Sequence, residues 1–506
     1  MTPLAAAPTQ VAAAFAALEL PGEPEKHREA LQTFCRRWLL PVESDLQPAE
    51  VPQLAAGPPP AWLPLVAQPD IRRWAESLFH MWGSLCRQVA PDVAAHPDRH
   101  TLLLPPQPRP FVIPGARFRE QYYWDTFWSV RGLLACGLLE MAQASLGSLA
   151  GLRGCHRGPA PASSPTLMHL LPQMVAALHA AAPDEALLLR ALAAFRQEHN
   201  YWMSGAKEVA LRGADGRTYR LARYHAAWDK PRPESYRQGW LAAGLPSRHA
   251  PACLLWRELA TAAESGWDFS SRWLADGTSL RSCRATRVVP ADLNALLYQM
   301  ESNMAAFADE VGYHGLAAGL VYQAKQRLAA IRALMWDDAS GQWRDLVLGA
   351  PDGADEASTD ASAHPVLAAS NWVPLYCGCA AAGSAQAAAA VASLRGSGLI
   401  REAGVAVSLR ETGQQWDWPN AWPPITCMLV EGCQKYGGEA GAQLAAAMAQ
   451  QYLETAHAGW EQSGRNFEKF DARRLGAPGG GGEYDCVDGF GWTNGVALAL
   501  LQQYGW

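Results

Sequence analysis

The chain has 506 residues, 49% of them apolar, which is ample for a large core, and its length allows two to four domains or one large helical toroid. Lys+Arg 42 against Asp+Glu 48 leaves a net charge of −6, so no broad basic field exists to hold nucleic acid or an anionic membrane. The 11 cysteines include no CxxC pair and suggest neither a closed disulfide framework nor a zinc site.

Residues 1–65 read as a variable Ala/Pro-rich segment around one helical patch, His27 to Leu39. This end lacks a basic n-region and a strongly apolar stretch, and no asparagine lies in an N-x-[ST] sequon, which points to a cytoplasmic setting. No apolar run is long enough to span a bilayer. Ile71 to Val89 then spaces Ile71, Trp74, Leu78, Trp82 and Leu85 as an amphipathic helix. The prolines from Pro105 to Pro114 impose an extended approach to PGARFREQYYWDTFW, residues 114–128.

Beyond it the helical pattern recurs without a convincing strand: Val130–Leu146, Thr166–Ala181, Asp184–Met203, Asp292–Val311, Tyr313–Met335, Ala368–Ala382, Ser384–Arg395, Trp422–Tyr436, Gly438–Ala456 and Trp492–Tyr504. The pattern favours an all-α architecture of antiparallel helix pairs joined by loops. Periodicity alone does not separate a toroid from a superhelical solenoid.

The chemistry sits in the loops. PGARFREQYYWDTFW mixes two arginines, Glu120 and Asp125 with tyrosines and tryptophans, a composition suited to the wall of a hydroxyl-rich ligand site. The total of 21 tryptophans fits that reading, since flat rings cover the C–H faces of sugars, although tryptophan also fills cores. In ESGWDFSSRW, Asp268 stands between aromatic rings that would strip its solvation and keep it protonated, as a general acid requires. An N-cap for the Ser270–Ser271 turn is an equally good reading of that stretch alone. In NFEKFD, Glu468 beside Lys469 reads on charge pattern as a solvated surface pair. PRPESYR offers Arg232 and Arg237 as planar clamps for paired hydroxyls. Gly479 to Gly482 is no phosphate loop, because no Gly-Lys-[Ser/Thr] follows; it reads as a mobile loop carrying Glu483 and Tyr484, or as a plain linker.

PGARFREQYYWDTFW and QQWDWPNAWPP resemble the two signature segments of the trehalases of glycoside hydrolase family 37. PRPESYR, ESGWDFSSRW, NFEKFD and GGGGEYDCVDGFGWTNG are similar to further motifs of that family, in the same order, from about His100 to the C-terminus. The resemblance implies an (α/α)₆ barrel over residues 66–506 with the active site in the loops of one rim. It implies an inverting hydrolysis of α,α-trehalose that needs no metal or organic cofactor, with Asp268 as general acid and Glu468 as general base. The implied sugar contacts are Arg117, Trp124, Asp125, Arg232, Pro233, Glu234, Gly266 and Glu483.

Two departures stand out. The family's NGxRxYYxxRSQPP segment is replaced by SLAGLRGCHRGPAPASSPT, with no counterpart to the Asn, the tyrosines or the Arg-Ser-Gln triplet, and Val487 stands where the family has Gln. Each charged hydrogen bond lost with that segment would cost about 1.5–3 kcal/mol. An inactive sugar-binding or regulatory relative, and a glycosidase for another α-glucoside, therefore stay open at this point.

Overall fold

In the computed structural model, residues 3–42, 44–51, 53–54, 57–100, 109–115, 117–151, 170–244, 250–349 and 360–505 are described. In the barrel, helices alternate along the chain between an outer and an inner position. The outer ones are α1 (Pro69–Leu85), α3 (Leu139–Gly151), α5 (Glu185–Trp202), α7 (His314–Leu334), α9 (Ala385–Gly396) and α11 (Gly438–Ser463). Between them stand α2 (Tyr123–Ala135), α4 (Leu171–Ala181), α6 (Ala291–Glu310), α8 (Val373–Tyr376), α10 (Pro423–Tyr436) and α12 (Gly491–Tyr504). Each of this second set packs on the next, and α12 packs back on α2, which closes the ring. The architecture is an (α/α)₆ barrel, and ring closure is the observation that excludes an open solenoid.

The two rings differ in sequence for a physical reason. Outer α1 buries the expected stripe Ile71, Trp74, Leu78, Trp82 and Leu85 and leaves its other face wet. Inner α10 and α12 are covered on almost every side, and their apolar residues run without a polar face. The α2–α12 contact is closest where two glycines meet: a Cβ on Gly495 would lie 2.2 Å from the Trp128 carbonyl oxygen, and one on Gly132 2.4 Å from Gly495 Cα. Turns from inner to outer helices are short, as at residues 136–138, 311–313 and Gly437, whereas the long loops lead into the N-termini of inner helices. Those loops therefore gather at one rim.

Several expected boundaries move. The span 130–146 divides into α2 and α3 at Gly137, whose φ of 71° suits glycine, and α2 begins seven residues earlier, inside the aromatic motif. The end of the Ile71–Val89 span leaves the helix as a strand, Cys86–Val89, paired antiparallel with Leu46–Pro48 and Phe111–Val112. A hairpin of Glu208–Arg212 and Thr218–Ala222 corrects the expectation of no convincing strand, and its turn carries the Asp215-Gly216 signal. Ala368–Ala382 shrinks to a 3₁₀ turn, Ala369–Trp372, and the single turn of α8. α11 instead runs on to Ser463 and ends at Gly464 in the left-handed conformation.

Candidate active site

The segment carrying Asp268 leaves the helix Ala250–Glu264 through Gly266, whose φ is +75°. Two buried anchors fix it just beyond Asp268. Asp417 accepts hydrogen bonds from the Ser271 N–H at 2.6 Å, from the hydroxyls of Ser271 and Ser408, each at 2.7 Å, from that of Thr412 at 2.6 Å, and from Ser270 at 3.2 Å. Arg272 donates both ways, to Asp292 at 2.6 and 2.8 Å and to Asp345 at 2.6 and 3.0 Å. Ser270, not Asp268, caps the 3₁₀ turn Ser271–Trp273, so the capping reading of Asp268 falls away. Its carboxyl faces Arg232 at 3.7 Å with 31% of the side chain exposed. Burial pushes that carboxyl up to about 7; the Arg232 guanidinium opposes the shift and Glu483 adds to it.

Glu468 is held quite differently. Its side chain is 1% exposed and that of Lys469 not at all, so the expected solvated pair is in fact buried, with Nζ 3.2 Å from Oε2. The pair is sunk because the rings of Trp422 and Tyr484 lie 5.0 and 5.3 Å from the ammonium. The Tyr484 hydroxyl donates to Glu468 Oε1 at 3.0 Å. The main chain is fixed by Val487, whose carbonyl accepts from the Glu468 N–H at 2.9 Å, so Val487 contributes here through its backbone.

The remaining expected residues gather around these two. Arg232 is buried: its guanidinium lies 3.4 Å from Glu234 and 3.8 Å from Glu483, and over the Phe269 ring at 5.4 Å. Glu483 also accepts from the Ser235 hydroxyl at 2.5 Å. Pro233 is exposed and opens the turn Pro233–Ser235 that follows Arg232. Burial raises the Glu234 carboxyl, against the pull of Arg232. Arg117 is exposed and stacks on Tyr484 at 4.6 Å. Arg237 is exposed on the helix Tyr236–Ala243 and joins none of these pairs.

Trp124 and Asp125 stand in the first turn of α2, Trp124 edge-on to Trp128 at 5.5 Å. Asp125 is pushed up to about 8, first by burial and then by the carboxyls of both Glu468 and Asp268. Burial and the same two carboxyls hold the Tyr484 phenol well above its ordinary value. Asp268 and Glu468, far apart in the chain, thus act on common neighbours. Beside them Trp416 stacks between Trp267 at 4.9 Å and Trp422 at 4.1 Å, a flat aromatic wall.

Reading the sequence did not single out Gln415 or Ser235, nor the burial of Lys469; Gln415 lies inside QQWDWPNAWPP, which was the available signal. The run Gly479–Gly482 packs on this same segment: a Cβ on Gly481 would lie 2.5 Å from the Gly413 carbonyl oxygen, which argues against a plain linker. The altered interval after α3 lies outside the described residues from 152 to 169. Among the described residues, Asp70, His457 and Glu461 bring ligand atoms within 4.8 Å of one another, but they stand on outer helices α1 and α11 and are no part of the paired-carboxyl site.

A helical barrel that gathers a carboxyl raised by burial and an ion-paired carboxylate among arginines and stacked tryptophans has the make-up of a glycoside hydrolase site. The trehalase family model matches residues 3–151 and 165–505, leaving out 152–164 and reaching further toward the N-terminus than the motifs do. A probable trehalase of Oryza sativa subsp. japonica is 36% identical over 520 residues, covering 99% of this chain and 90% of that protein. The trehalase of Homo sapiens is 34% identical over 517 residues, 99% and 85% of the two chains. The solved neutral trehalase of Saccharomyces cerevisiae shares the fold with a TM-score of 0.61 at 21% identity, over 78% of this chain and 73% of that one. The chain belongs to the trehalase family.

Proposed function

We infer that the protein is an α,α-trehalase, a glycoside hydrolase that cleaves trehalose to two glucose molecules, and that it does so by inversion. The family match and the trehalases related over nearly the whole chain support the activity and weigh against a non-catalytic or differently specific relative. Asp268 gives its proton to the glycosidic oxygen as the C1–O bond breaks, and Glu468 takes a proton from the water that attacks C1 from the opposite face. Arg232, Glu234, Glu483, Arg117, Trp124, Asp125, Pro233 and Gly266 hold the sugar hydroxyls and shape the pocket.

The observation that carries this assignment is the contrast between the two carboxyls. Burial pushes the Asp268 carboxyl up to about 7, while Glu468 is ion-paired with Lys469. An acid and a base need such opposite surroundings. Anomer-resolved NMR of fresh product tests it: the first turnover is expected to release one α- and one β-glucose, and two α products would reject Glu468 as the base. We further place residues 66–506 as the catalytic domain and the enzyme in the cytoplasm, a setting in which its free cysteines would stay reduced. No helix among the described residues is long and apolar enough to cross a membrane.

A further inference from the structure

Gln415 lies in the signature segment between Asp268 and Glu468, is 3% exposed, and makes one hydrogen bond toward each. Its Nε2 donates to the Asp268 main-chain carbonyl at 2.6 Å, and its Oε1 accepts from Lys469 Nζ at 3.2 Å, the ammonium that pairs with Glu468. The amide can face only one way. A backbone carbonyl offers no proton and an ammonium offers no lone pair, so the NH₂ must meet Asp268 and the oxygen Lys469.

That pairing also accounts for the residue type. Glutamate would lose the donor, lysine the acceptor and methionine both, whereas glutamine carries one of each on a single rigid group. The backbone seconds the link: the Trp416 N–H donates to the Phe269 carbonyl at 3.0 Å, and the Trp422 indole donates to the Gln415 carbonyl at 2.9 Å. The glycine loop closes over it, since a Cβ on Gly482 would come within 3.0–3.1 Å of the Gln415 side chain.

We propose that Gln415 is a positioning residue that ties the general-acid segment to the lysine of the general base and so sets the distance between the two carboxyls. It touches no reacting atom. An inverting site must leave room for one water between acid and base, and a misplacement of ~1 Å costs on the order of 10²-fold in rate. A side chain spanning both halves fixes that spacing more directly than two independent supports would. The proposal rests on the assignment of Asp268 and Glu468.

The test compares Gln415→Met, which removes both hydrogen bonds, with Gln415→Glu, which keeps an acceptor for Lys469 and loses the donor to Asp268. Trehalose and α-D-glucopyranosyl fluoride are the substrates, because fluoride leaves without being protonated and bypasses the acid. For Gln415→Met, kcat on trehalose is expected to fall about 10²-fold with KM within about threefold. Gln415→Glu should fall at least ~10-fold on trehalose and by a clearly smaller factor on the fluoride, because the donor to Asp268 is lost while an acceptor for Lys469 remains. A Gln415→Met kcat within about threefold of wild type, a loss confined to KM, or an equal Gln415→Glu loss on both substrates overturns the proposal. If Gln415→Met does not fold, the substrate split of Gln415→Glu decides. Asp268→Asn and Glu468→Gln run alongside: activity surviving in them would reject the acid–base assignment itself, whereas their loss with silent Gln415 variants rejects only the role of Gln415.

Discussion

The surroundings of Asp268 and of Glu468 solve opposite problems with different materials. The Asp268 carboxyl is partly open, its nearest cation stands 3.7 Å away, and the rigid anchoring is displaced onto Ser270, Ser271 and Arg272 behind it. Glu468 is sealed in, and its anchoring is applied to the carboxylate itself, by Lys469 and Tyr484. A carboxyl raised by burial is suited to giving a proton away; a carboxylate held beside a cation is suited to accepting one. On the proposed roles, what surrounds each carboxyl assigns its part, since the acidic groups themselves are chemically alike.

The sharpest way to break this contrast is Lys469→Met. Leaving Glu468 buried without its cation should cost about 3–5 kcal/mol of stability and most of the turnover. Adding Glu468→Gln should restore stability, measured by denaturant unfolding, but not activity. A single variant as stable as wild type would show that the ion pair is not what holds this side of the site.

Arg232→Ala attacks the other side and should lower kcat/KM by about 10²–10³-fold, as several charged hydrogen bonds to sugar are lost. It should also move a pH limb. Arg232 holds the Asp268 carboxyl down against burial, so without it the proton is retained to higher pH, and the basic limb of the rate profile that Asp268 sets should shift upward. An unmoved limb would remove Asp268 as the group that limits activity at high pH.

A smaller effect concerns stability. The Asp268 carboxyl is raised in the fold, to about 7, above its ordinary value of 3.8. Its ionisation is therefore harder in the folded than in the unfolded chain, and stability is lost as pH climbs from about 4 through 7. Asp268→Asn should accordingly be more stable than wild type at pH 8, by roughly 1–2 kcal/mol once partial solvent screening is allowed for, and indistinguishable near pH 3. Calorimetry at the two pH values checks the sign, and equal melting at both would mean that burial does not penalise this carboxylate. The smallest change is expected of Arg237→Ala, within about twofold in kcat/KM, because this arginine is solvated outside the cluster. A loss approaching that of Arg232→Ala would place Arg237 on the substrate.

Much of the fold was legible from local pattern. The helical pattern of Asp292–Val311 forecast α6 to within a residue at each end, because a helix facing a core repeats at its own pitch whatever the core contains. The start of α2 was missed because aromatic and charged residues at the rim of a site do not repeat with that pitch. The strand Cys86–Val89 was missed because a short strand depends on neighbours remote in the chain. For the site, the order of the motifs pointed to Asp268 and Glu468, while charge pattern alone misread Lys469 as solvated.

The sequence by itself determined the helical content, the lack of a broad basic field and, through its ordered motifs, the family, and it nominated the two carboxyls, since these follow from periodicity, composition and motif order. Only the tertiary structure decided that the helices close into a ring, that Lys469 is buried, and that Gln415 bridges the Asp268 main chain and Lys469. Ring closure, burial and bridging are relations between segments up to hundreds of residues apart, and the cost of a charge or the use of an amide depends on what those segments bring alongside it.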